Sequence, residues 1–464
     1  MIILSYLRSR LLSRLSGPAI FVASFGLLIA IGTLGLLWLP GLYVGDRLRL
    51  IDALFTMTSA VCVTGLIVVD TATFFTFWGQ LWILLFIQLG GIGLITLSSI
   101  IMGSMGLRLS LRTEAIAISA PTSGNELEVW QLAFGIVRFM LAMEFVGAAL
   151  LFALWLPHFE WSEALWHAVF QAVSAFCNAG FSTYSDSLAG WSRSPATLAV
   201  ISVLIISGGL GYLTLSETWT RWLASTRRAP GRMSCNAFAT LLTTVALLVG
   251  GTAAYSVLEW SATLGPFDIG DKLMNAWFMS VTARTAGFNT VDYSRIGNDA
   301  AFVTIMFMFV GGAPGSTAGG IKVTTFAVLV SLAYSRFRGR RFVALHDRGV
   351  PAGTIERAIS LTLLAVTVLT VAVLAVNYFH GLALSPEAER EQFLPLLFES
   401  VSAFATVGLS MGATGRLGDL GHLVTIVLMF VGRVGLFSFF AAMALKRVRR
   451  RGAIRPAQED LFVG

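Results

Sequence analysis

Long uncharged stretches alternate with short polar segments along the whole chain. Residues 17–42 and 236–258 contain no charged side chain, and a bilayer core needs about 20 apolar residues in a helix. We therefore expect eight membrane-crossing helices separated by polar turns. Their predicted bounds are 17–39, 76–104, 130–156, 196–222, 236–258, 300–334, 356–379 and 422–445.

A shorter unit recurs between these spans. Each copy has an acidic entry, a semi-apolar helix and a glycine turn. The predicted helix is only about 12 residues long, so at about 1.5 Å per residue it is too short to cross. Such a segment can enter the membrane and return only where protein or a water-filled cavity surrounds it. The copies are DALFTMTSAVCVTGLIVVD around Gly65, EALWHAVFQAVSAFCNAGFSTYSD around Gly180, DKLMNAWFMSVTARTAGFNTVD around Gly287 and EQFLPLLFESVSAFATVGLSMG around Gly408.

The repeats predict an all-α polytopic membrane protein. Four units, each a span, a re-entrant pore helix and a second span, would stand in a pseudo-fourfold arrangement around one ion pore. A coupled transporter with inverted repeats is an alternative, but an even number of spans separates successive glycines, so the repeats share one topology. The expected units are 1–108, 109–228, 229–348 with a broken inner span, 349–446, and a cytoplasmic tail at 447–464.

Composition and charge narrow the class of protein. The chain is 56% hydrophobic and 12% charged, far below the roughly 25% charge of soluble proteins. Most Lys and Arg residues fall on one predicted face, which is therefore cytoplasmic and carries both termini. The opposite face is rich in acidic residues, which would concentrate cations there. Nucleic-acid binding is not expected, because the arginines border membrane spans.

The glycine turns suggest a chemistry for the pore. A ring of backbone carbonyls can replace the water shell of a cation, and glycine reaches positive φ at little cost. One such glycine would be an ordinary helix C-cap, but four in matching positions argue against that interpretation. We expect Arg284 to point back into the protein as a brace. The predicted ion-binding residues are Val63, Thr64, Gly65, Asn178, Ala179, Gly180, Thr285, Ala286, Gly287, Thr406, Val407 and Gly408.

Cys62 and Cys177 occupy equivalent positions beside two of these turns. Metal binding would need histidine or further cysteine partners. We therefore favour packing beside the turn over a metal site.

The sixth predicted span is interrupted by MFVGGAPGSTAGGIKVTTF, residues 307–325. Proline and glycine inside a helix cost about 3 and 1 kcal/mol relative to alanine. We predict a flexible loop below the filter rather than a packing kink, with Lys322 either anchoring it or facing the cavity. A phosphate-binding loop is excluded because no strand precedes it. The loop residues are Gly311, Gly312, Ala313, Pro314, Gly315, Ser316, Thr317, Ala318, Gly319 and Gly320.

Arg433 lies near the middle of the last predicted span. A central arginine costs at least about 2.5 kcal/mol by insertion scales. Two interpretations stay open and are compatible. The side chain either pairs with a buried acid such as Glu144 or with carbonyls freed by the broken span, or it has a role in transport.

VCVTGL, FCNAGF, ARTAGFNT, FATVGLS and GGAPGSTAGGIK resemble the Trk/Ktr/HKT superfamily of potassium transporters, most closely its eight-span KtrB-type subunits, over almost the whole chain. The resemblance implies potassium uptake across the bacterial inner membrane, with potassium bound at the residues named above. It implies a gate made of the glycine-rich loop, Lys322 and Arg433, with the arginine as an electrostatic barrier below the filter. Gly65 implies potassium preference, because sodium-selective members can have serine there.

The resemblance also implies partners. It predicts a homodimer with one pore in each protomer, surrounding membrane lipid, and a cytosolic KtrA-type ring that binds ATP or ADP. No cofactor is expected in this chain, and a sodium dependence is left open. The main alternative is a sodium or mixed-cation transporter of the same fold. An intramembrane enzyme is disfavoured, because the histidines are scattered and no aspartate lies in mid-span.

Overall fold

In a computed structural model, residues 17–45, 47–104, 126–225, 233–340, 342–345, 348–381 and 385–435 are described. Within these ranges the regular secondary structure is helical apart from two short strands that pair antiparallel, β1 (Ala344–Leu345) and β2 (Arg348–Gly349). The predicted all-α class is confirmed. The predicted cytoplasmic tail at 447–464 lies outside the described residues.

The helices follow the repeat in the sequence, with an outer span, a central helix and an inner span in each unit. The first unit has α1 (Gly17–Trp38), α2 (Leu50–Val61), α3 (Thr71–Phe74) and α4 (Phe77–Ser104). The second has α5 (Glu126–Trp155), α6 (Trp161–Cys177) and α7 (Pro195–Ser225). The third has α8 (Cys235–Leu258), α9 (Ile269–Thr282), α10 (Asn298–Phe309) and α11 (Val323–Phe337). The fourth has α12 (Ala352–Gly381), α13 (Pro386–Ala405) and α14 (Asp419–Val434). We call α2, α6, α9 and α13 the central helices.

The outer surface of the spans is apolar. Among the described residues, parts of α5, α7, α8 and α12 are each long and apolar enough to cross a membrane unaided. Phe145 of α5 is 75% exposed and Val257 of α8 is 78% exposed. Contiguous apolar surface of this extent is rare on soluble monomers. These faces therefore contact lipid in a multi-pass membrane protein.

Two central helices are longer than predicted. α2 has 12 residues, but α6 has 17 and α13 has 20. The added turns of α13 come from its acidic entry, whose Glu, Ala and Arg residues favour a helix. The entry therefore continues the helix instead of leading into it as a loop.

The predicted break in the sixth span is confirmed, because α10 ends at Phe309 and α11 begins at Val323. We call residues 310–322 the glycine loop. The sequence did not predict a second irregularity, in α7, where Gly211 has φ +73° and ψ 156°. A Cβ at Gly211 would lie 3.1 Å from the carbonyl oxygen of Gly315. The kink therefore makes room for the glycine loop against α7.

Glycines also let three inner spans approach the central helix of their own repeat. A Cβ on any of them would collide with a carbonyl oxygen near the C-terminal end of that helix. The pairs are Gly90 with Val61, Gly208 with Phe176, and Gly432 with Phe404. Small residues serve the same purpose wherever helices pack closely in membranes. The central helices are thereby enclosed by the inner spans.

Candidate functional site

The four turn glycines meet at one point in the centre of the molecule. A Cβ built on Gly65 would lie 3.0 Å from Cα of Gly180, and one on Gly180 would lie 3.0 Å from Cα of Gly287. The corresponding distances are 3.2 Å from Gly287 to Gly408 and 3.0 Å from Gly408 back to Gly65. The four glycines therefore form a closed ring in chain order, which we call the glycine ring. The predicted pseudo-fourfold convergence of the repeats is confirmed.

The backbone approaching the ring is left-handed at alternate positions. The ring glycines have φ between +69° and +92°. Positive φ also occurs two residues earlier in every repeat, and for β-branched residues this conformation is rare and costly. These earlier residues are Val63 (+54°), Asn178 (+59°), Thr285 (+76°) and Thr406 (+51°). Four copies of one strained conformation indicate that the surroundings impose it.

Each central helix gives one hydroxyl to its own turn. In the first and fourth repeats the hydroxyl accepts a hydrogen bond from the N–H of the ring glycine. In the second and third it donates to the carbonyl of the next residue. The bonds are Gly65 N to Ser59 Oγ (3.0 Å), Gly408 N to Ser402 Oγ (3.1 Å), Ser174 Oγ to Phe181 O (2.7 Å) and Thr282 Oγ1 to Phe288 O (2.6 Å).

The carbonyl oxygens just before the ring lie against the neighbouring repeat. The oxygen of Ala286 would be 2.8 Å from a Cβ on Gly180, and the other three contacts are closer still. No side chain fits at the ring, so backbone oxygens are the polar groups that it presents. The three other oxygens belong to Thr64, Ala179 and Val407.

A polar cavity of about 160 Å³ opens on one side of the ring. Two acids, Asp70 and Asp292, line it together with the four glycines. Ser185 Oγ of the second repeat donates to Asp70 Oδ2 of the first at 2.5 Å. Burial raises the pKa of the Tyr184 phenol in the cavity wall, so this group is neutral at physiological pH. The cavity wall therefore combines negative charge with neutral oxygen atoms.

The glycine loop lies on the other side of the ring. A Cβ on Gly319 would lie 2.8 Å from the carbonyl oxygen of Ala405 and closer to Oγ1 of Thr406. A Cβ on Gly311 would lie 3.4 Å from Cγ2 of Thr285. Glycine is therefore required for the loop to lie directly against the turns of the third and fourth repeats.

Hydrogen bonds hold the loop in this place. Ala313 N donates to Gly209 O of α7 at 2.9 Å, and Gly311 N donates to Ile321 O at 2.9 Å. Lys322 Nζ donates to the carbonyl oxygen of Ala318 at 2.6 Å. Of the two predicted positions for this lysine, the structure has the one that anchors the loop.

Arg433 lies next to the same loop and is 2% exposed. Its guanidinium donates to the carbonyl oxygens of Thr317 in the loop and of Gly90 in α4, the latter at 3.3 Å. Glu144 instead accepts a hydrogen bond from Gln88 Nε2 at 2.8 Å. A carbonyl of the broken span therefore holds this arginine, and the predicted alternative of a Glu144 pair is not found.

The other buried arginine of the pore region, Arg284, points away from the ring. Its Nη2 lies 3.4 Å from Thr244 Oγ1 of α8. Cys62 and Cys177 are both buried. Cys177 packs against α4, where a Cβ on Gly91 would lie 2.8 Å from its sulfur.

Gly90, Gly208 and Gly432 of the inner spans are functional candidates that reasoning from the sequence missed. A signal for them exists, since glycine pairs occur at 90–91, 208–209 and 311–312 in matching places of three inner spans. In the fourth inner span the second glycine is replaced, so that Gly432 is followed by Arg433. Arg433 is thus the fourth repeat's counterpart of a glycine in the other three.

Comparisons with known proteins agree with this architecture. The family model TrkH, described as a cation transport protein, matches residues 17–448. The chain is 35% identical to the Ktr system potassium uptake protein B of Vibrio alginolyticus, over 90% of this chain and 89% of that protein. It is 32% identical to the potassium/sodium uptake protein NtpJ of Enterococcus hirae, over 99% of this chain and 100% of that protein.

A solved structure shares the fold. The crystal structure of the potassium transporter TrkH from Vibrio parahaemolyticus matches with a TM-score of 0.73 at 17% identity, over 94% of this chain and 86% of that one. The prediction of a transport protein rather than an enzyme is confirmed by these relatives, which are named as transporters. The chain belongs to the TrkH family of cation transport proteins.

Proposed function

We propose that the glycine ring is a potassium selectivity filter and that the chain mediates potassium uptake across the bacterial plasma membrane. The observation that carries this proposal is the closed ring, in which four strained turns present backbone oxygens and exclude side chains. The relative from Vibrio alginolyticus at 35% identity is named a potassium uptake protein, which supports the choice of ion.

The surroundings of the ring suit a cation. Carbonyl oxygens can take the place of a hydration shell, and the C-terminal ends of the central helices bring the negative ends of their dipoles toward the ring. Asp70 and Asp292 in the outer cavity would raise the local cation concentration. The binding residues are the twelve predicted from the sequence, three in each repeat.

The gate is the glycine loop, which includes Lys322, together with Arg433. This proposal is supported by their position on the side of the ring opposite the cavity, and by the Arg433 hydrogen bond that ties the loop to the protein. The charge of Arg433 would oppose a cation leaving the filter. Opening requires the loop to move away, and its glycines permit such a movement.

The rest of the functional prediction concerns the whole protein. The relative at 35% identity is named as part of a Ktr system, which supports regulation by a cytosolic KtrA-type nucleotide-binding ring. Docking would use the cytoplasmic face, where both termini lie. The chain works as a homodimer with one pore in each protomer, and each of the four repeat units contributes one quarter of the filter.

A sodium or mixed-cation function is the second candidate. It is supported by the relative named a potassium/sodium uptake protein. The ratio of potassium to sodium uptake decides between the two functions.

The test compares two glycines with similar backbone but different surroundings. Gly408 (φ +92°) lies against the Thr64 carbonyl, whereas Gly412 (φ +81°) has no atom within 4 Å of an added Cβ. We expect Gly408→Ser to lower the potassium-to-sodium uptake ratio about tenfold, because overpacking of 1–3 kcal/mol would distort the ring. Gly412→Ser should keep the ratio. Ion uptake is measured in a bacterial strain that lacks its own potassium uptake systems.

Equal losses in both variants would assign the effect to backbone strain at positive φ. A wild-type ratio in Gly408→Ser, at normal membrane abundance, would remove the ring from the ion pathway. A wild type that takes up both ions equally would favour the mixed-cation function.

A further inference from the structure

Two buried polar side chains occupy the same place in different repeats. Glu399 of α13 and Gln171 of α6 each lie nine residues before the ring glycine. They are 1% and 0% exposed. Each forms a hydrogen bond with the serine two residues after that glycine, Ser410 or Ser182. Each bond therefore joins the central helix to the loop on the far side of the glycine turn.

Glu399 holds the fourth repeat at three points. Its Oε1 accepts hydrogen bonds from Ser410 Oγ at 2.5 Å and from Ala413 N at 3.1 Å. Its Oε2 accepts one from Thr414 Oγ1 at 2.7 Å. All three donors belong to the segment that follows Gly408, and Ser410 lines the polar cavity beside the ring. A single buried carboxyl group therefore fixes this loop.

Gln171 connects the central helix of the second repeat to the loop after Gly180 through an uncharged side chain. Its Nε2 donates to Ser182 Oγ at 2.6 Å, and that hydroxyl also donates to the carbonyl oxygen of Ser187. Ser182 lines the cavity as well. The chain therefore contains both a carboxylate and an amide version of one bridge.

The first and third repeats are built differently. Thr56 and Phe278 stand at the equivalent positions, and the Thr56 hydroxyl has no hydrogen-bond partner among the described residues. The third loop is held by its neighbour instead, because Asn289 N donates to Ser187 Oγ at 3.2 Å and Leu188 N donates to Asn289 O at 3.0 Å. The third loop thus depends on a segment that Gln171 itself helps to place.

We infer that Glu399 and Gln171 are positioning residues that set the ion selectivity of the ring by bracing the turns of alternate repeats. The inference rests on the proposed filter function. Residues other than glycine persist in the left-handed region only where surrounding contacts fix them, and the two braced turns each contain one, Asn178 and Thr406. A bridge from the central helix to the loop beyond the glycine fixes the turn at both ends. Removing it lets the ring widen and admit ions less selectively.

The experiment uses Glu399→Leu, Glu399→Gln and a matched control, Glu259→Leu. Glu259 is also 1% exposed and accepts hydrogen bonds from Gly297 N at 2.9 Å and Thr263 Oγ1 at 2.8 Å, but its partners do not line the cavity. Potassium and sodium uptake are measured with the full chain in the uptake-deficient strain, together with membrane abundance.

We expect Glu399→Leu to lower the potassium-to-sodium ratio about tenfold, the effect of losing roughly one buried hydrogen bond. Glu399→Gln should restore the ratio to within about twofold, because its amide reproduces the Gln171 bridge and costs at most a fraction of one bond. Glu259→Leu should lower abundance and keep the ratio. If Glu399→Leu does not reach the membrane, the double variant Ser410→Ala, Thr414→Val removes two donors and should give the same loss.

Gly408→Ser distinguishes a failure of the positioning role of Glu399 from a failure of the proposed filter. If it changes the ratio while Glu399→Leu, or the double variant in its place, keeps it, the positioning role is overturned and the filter stands. If Glu259→Leu lowers the ratio as much as Glu399→Leu, the effect is general destabilisation and the inference also fails. A wild type without potassium preference overturns both proposals.

Discussion

At the scale of single residues, Arg433 connects two repeats through backbone carbonyls. Its guanidinium contacts Thr317 O of the third repeat and Gly90 O of the first, while its own backbone belongs to the fourth. A buried arginine without a carboxylate partner is costly in a membrane. The contacts therefore favour a role in holding the glycine loop closed over one in stability alone.

We expect Arg433→Gln to raise the rate of potassium uptake. The variant loses the positive charge that would oppose the cation, and it loses the hydrogen bond from Arg433 to Thr317 in the glycine loop. A free-energy barrier to permeation that is lower by about 1.4 kcal/mol would give roughly a tenfold faster rate. The ratio of potassium to sodium should change little, because the ring is untouched. Initial uptake rates, normalised to membrane abundance, measure the effect.

Arg138→Gln is the matched control, since Arg138 also lies in a span but is exposed. Its rate should equal that of the wild type. A rate for Arg433→Gln at or below the wild-type value would contradict the gate.

The ring glycines were predictable because four copies of one pattern reinforce one another. For Arg433 and Lys322 the sequence left alternatives open, because the choice between them depends on how the glycine loop folds back in three dimensions. Glu399 was missed for a similar reason. From the sequence it counts only as one of the acidic residues of the outer face, and only the packed structure shows it buried beside the turn.

At the scale of helices, three inner spans each pack closely against the central helix of their own repeat at a single glycine. The carbonyl oxygens of Val61, Phe176 and Phe404 occupy the space that a side chain at the facing glycine would need. Close packing of this kind leaves little freedom for relaxation. In the first, second and fourth repeats, the position of the central helix is therefore fixed by its own inner span.

Gly432→Ala should lower the free energy of unfolding by about 1–3 kcal/mol, the usual cost of overpacking. Its added Cβ would collide with the Phe404 carbonyl, so α14 must move away from α13. Gly250→Ala in α8 is the control, because no atom lies within 4 Å of its added Cβ. Thermal unfolding of both variants in detergent measures the difference, and equal midpoints would contradict the packing argument.

Most elements could be predicted from hydrophobic pattern and length. The first seven spans begin and end within a few residues of the expected positions, and the proline and glycines of the sixth span correctly indicated its break. The eighth was predicted over 422–445, but α14 ends at Val434, and residues 436–445 lie outside the described part of the chain. The kink at Gly211 could not be predicted, since one glycine within an apolar helix is usually tolerated. It forms because the glycine loop, distant in sequence, packs there.

At the scale of the molecule, the four repeats share a plan but differ in detail. Hydroxyls support the glycine N–H in the first and fourth repeats and the following carbonyl in the second and third. The glycine loop belongs to the third repeat alone. The ring is therefore close to fourfold, whereas its supports are not.

The orientation derived from charge can be tested by labelling single cysteines. Ser185, beside the acidic cavity, and Arg338, after α11, are both exposed. In a background with Cys62, Cys177 and Cys235 replaced, Ser185→Cys should react with a membrane-impermeant maleimide in intact cells. Arg338→Cys should react only after the cells are opened if, as proposed, the face rich in Lys and Arg is cytoplasmic. The reverse pattern would invert the proposed topology.

The replacement of a glycine by Arg433 in one inner span has a consequence for how the pore evolved. In a pore made of four identical subunits, every mutation enters in four copies, and an arginine at this place would add four positive charges around one axis. In a single polypeptide with duplicated repeats, a mutation can change one repeat alone. A side chain or loop can therefore occur in one copy. One arginine and one glycine loop can therefore stand beside a ring that is close to fourfold.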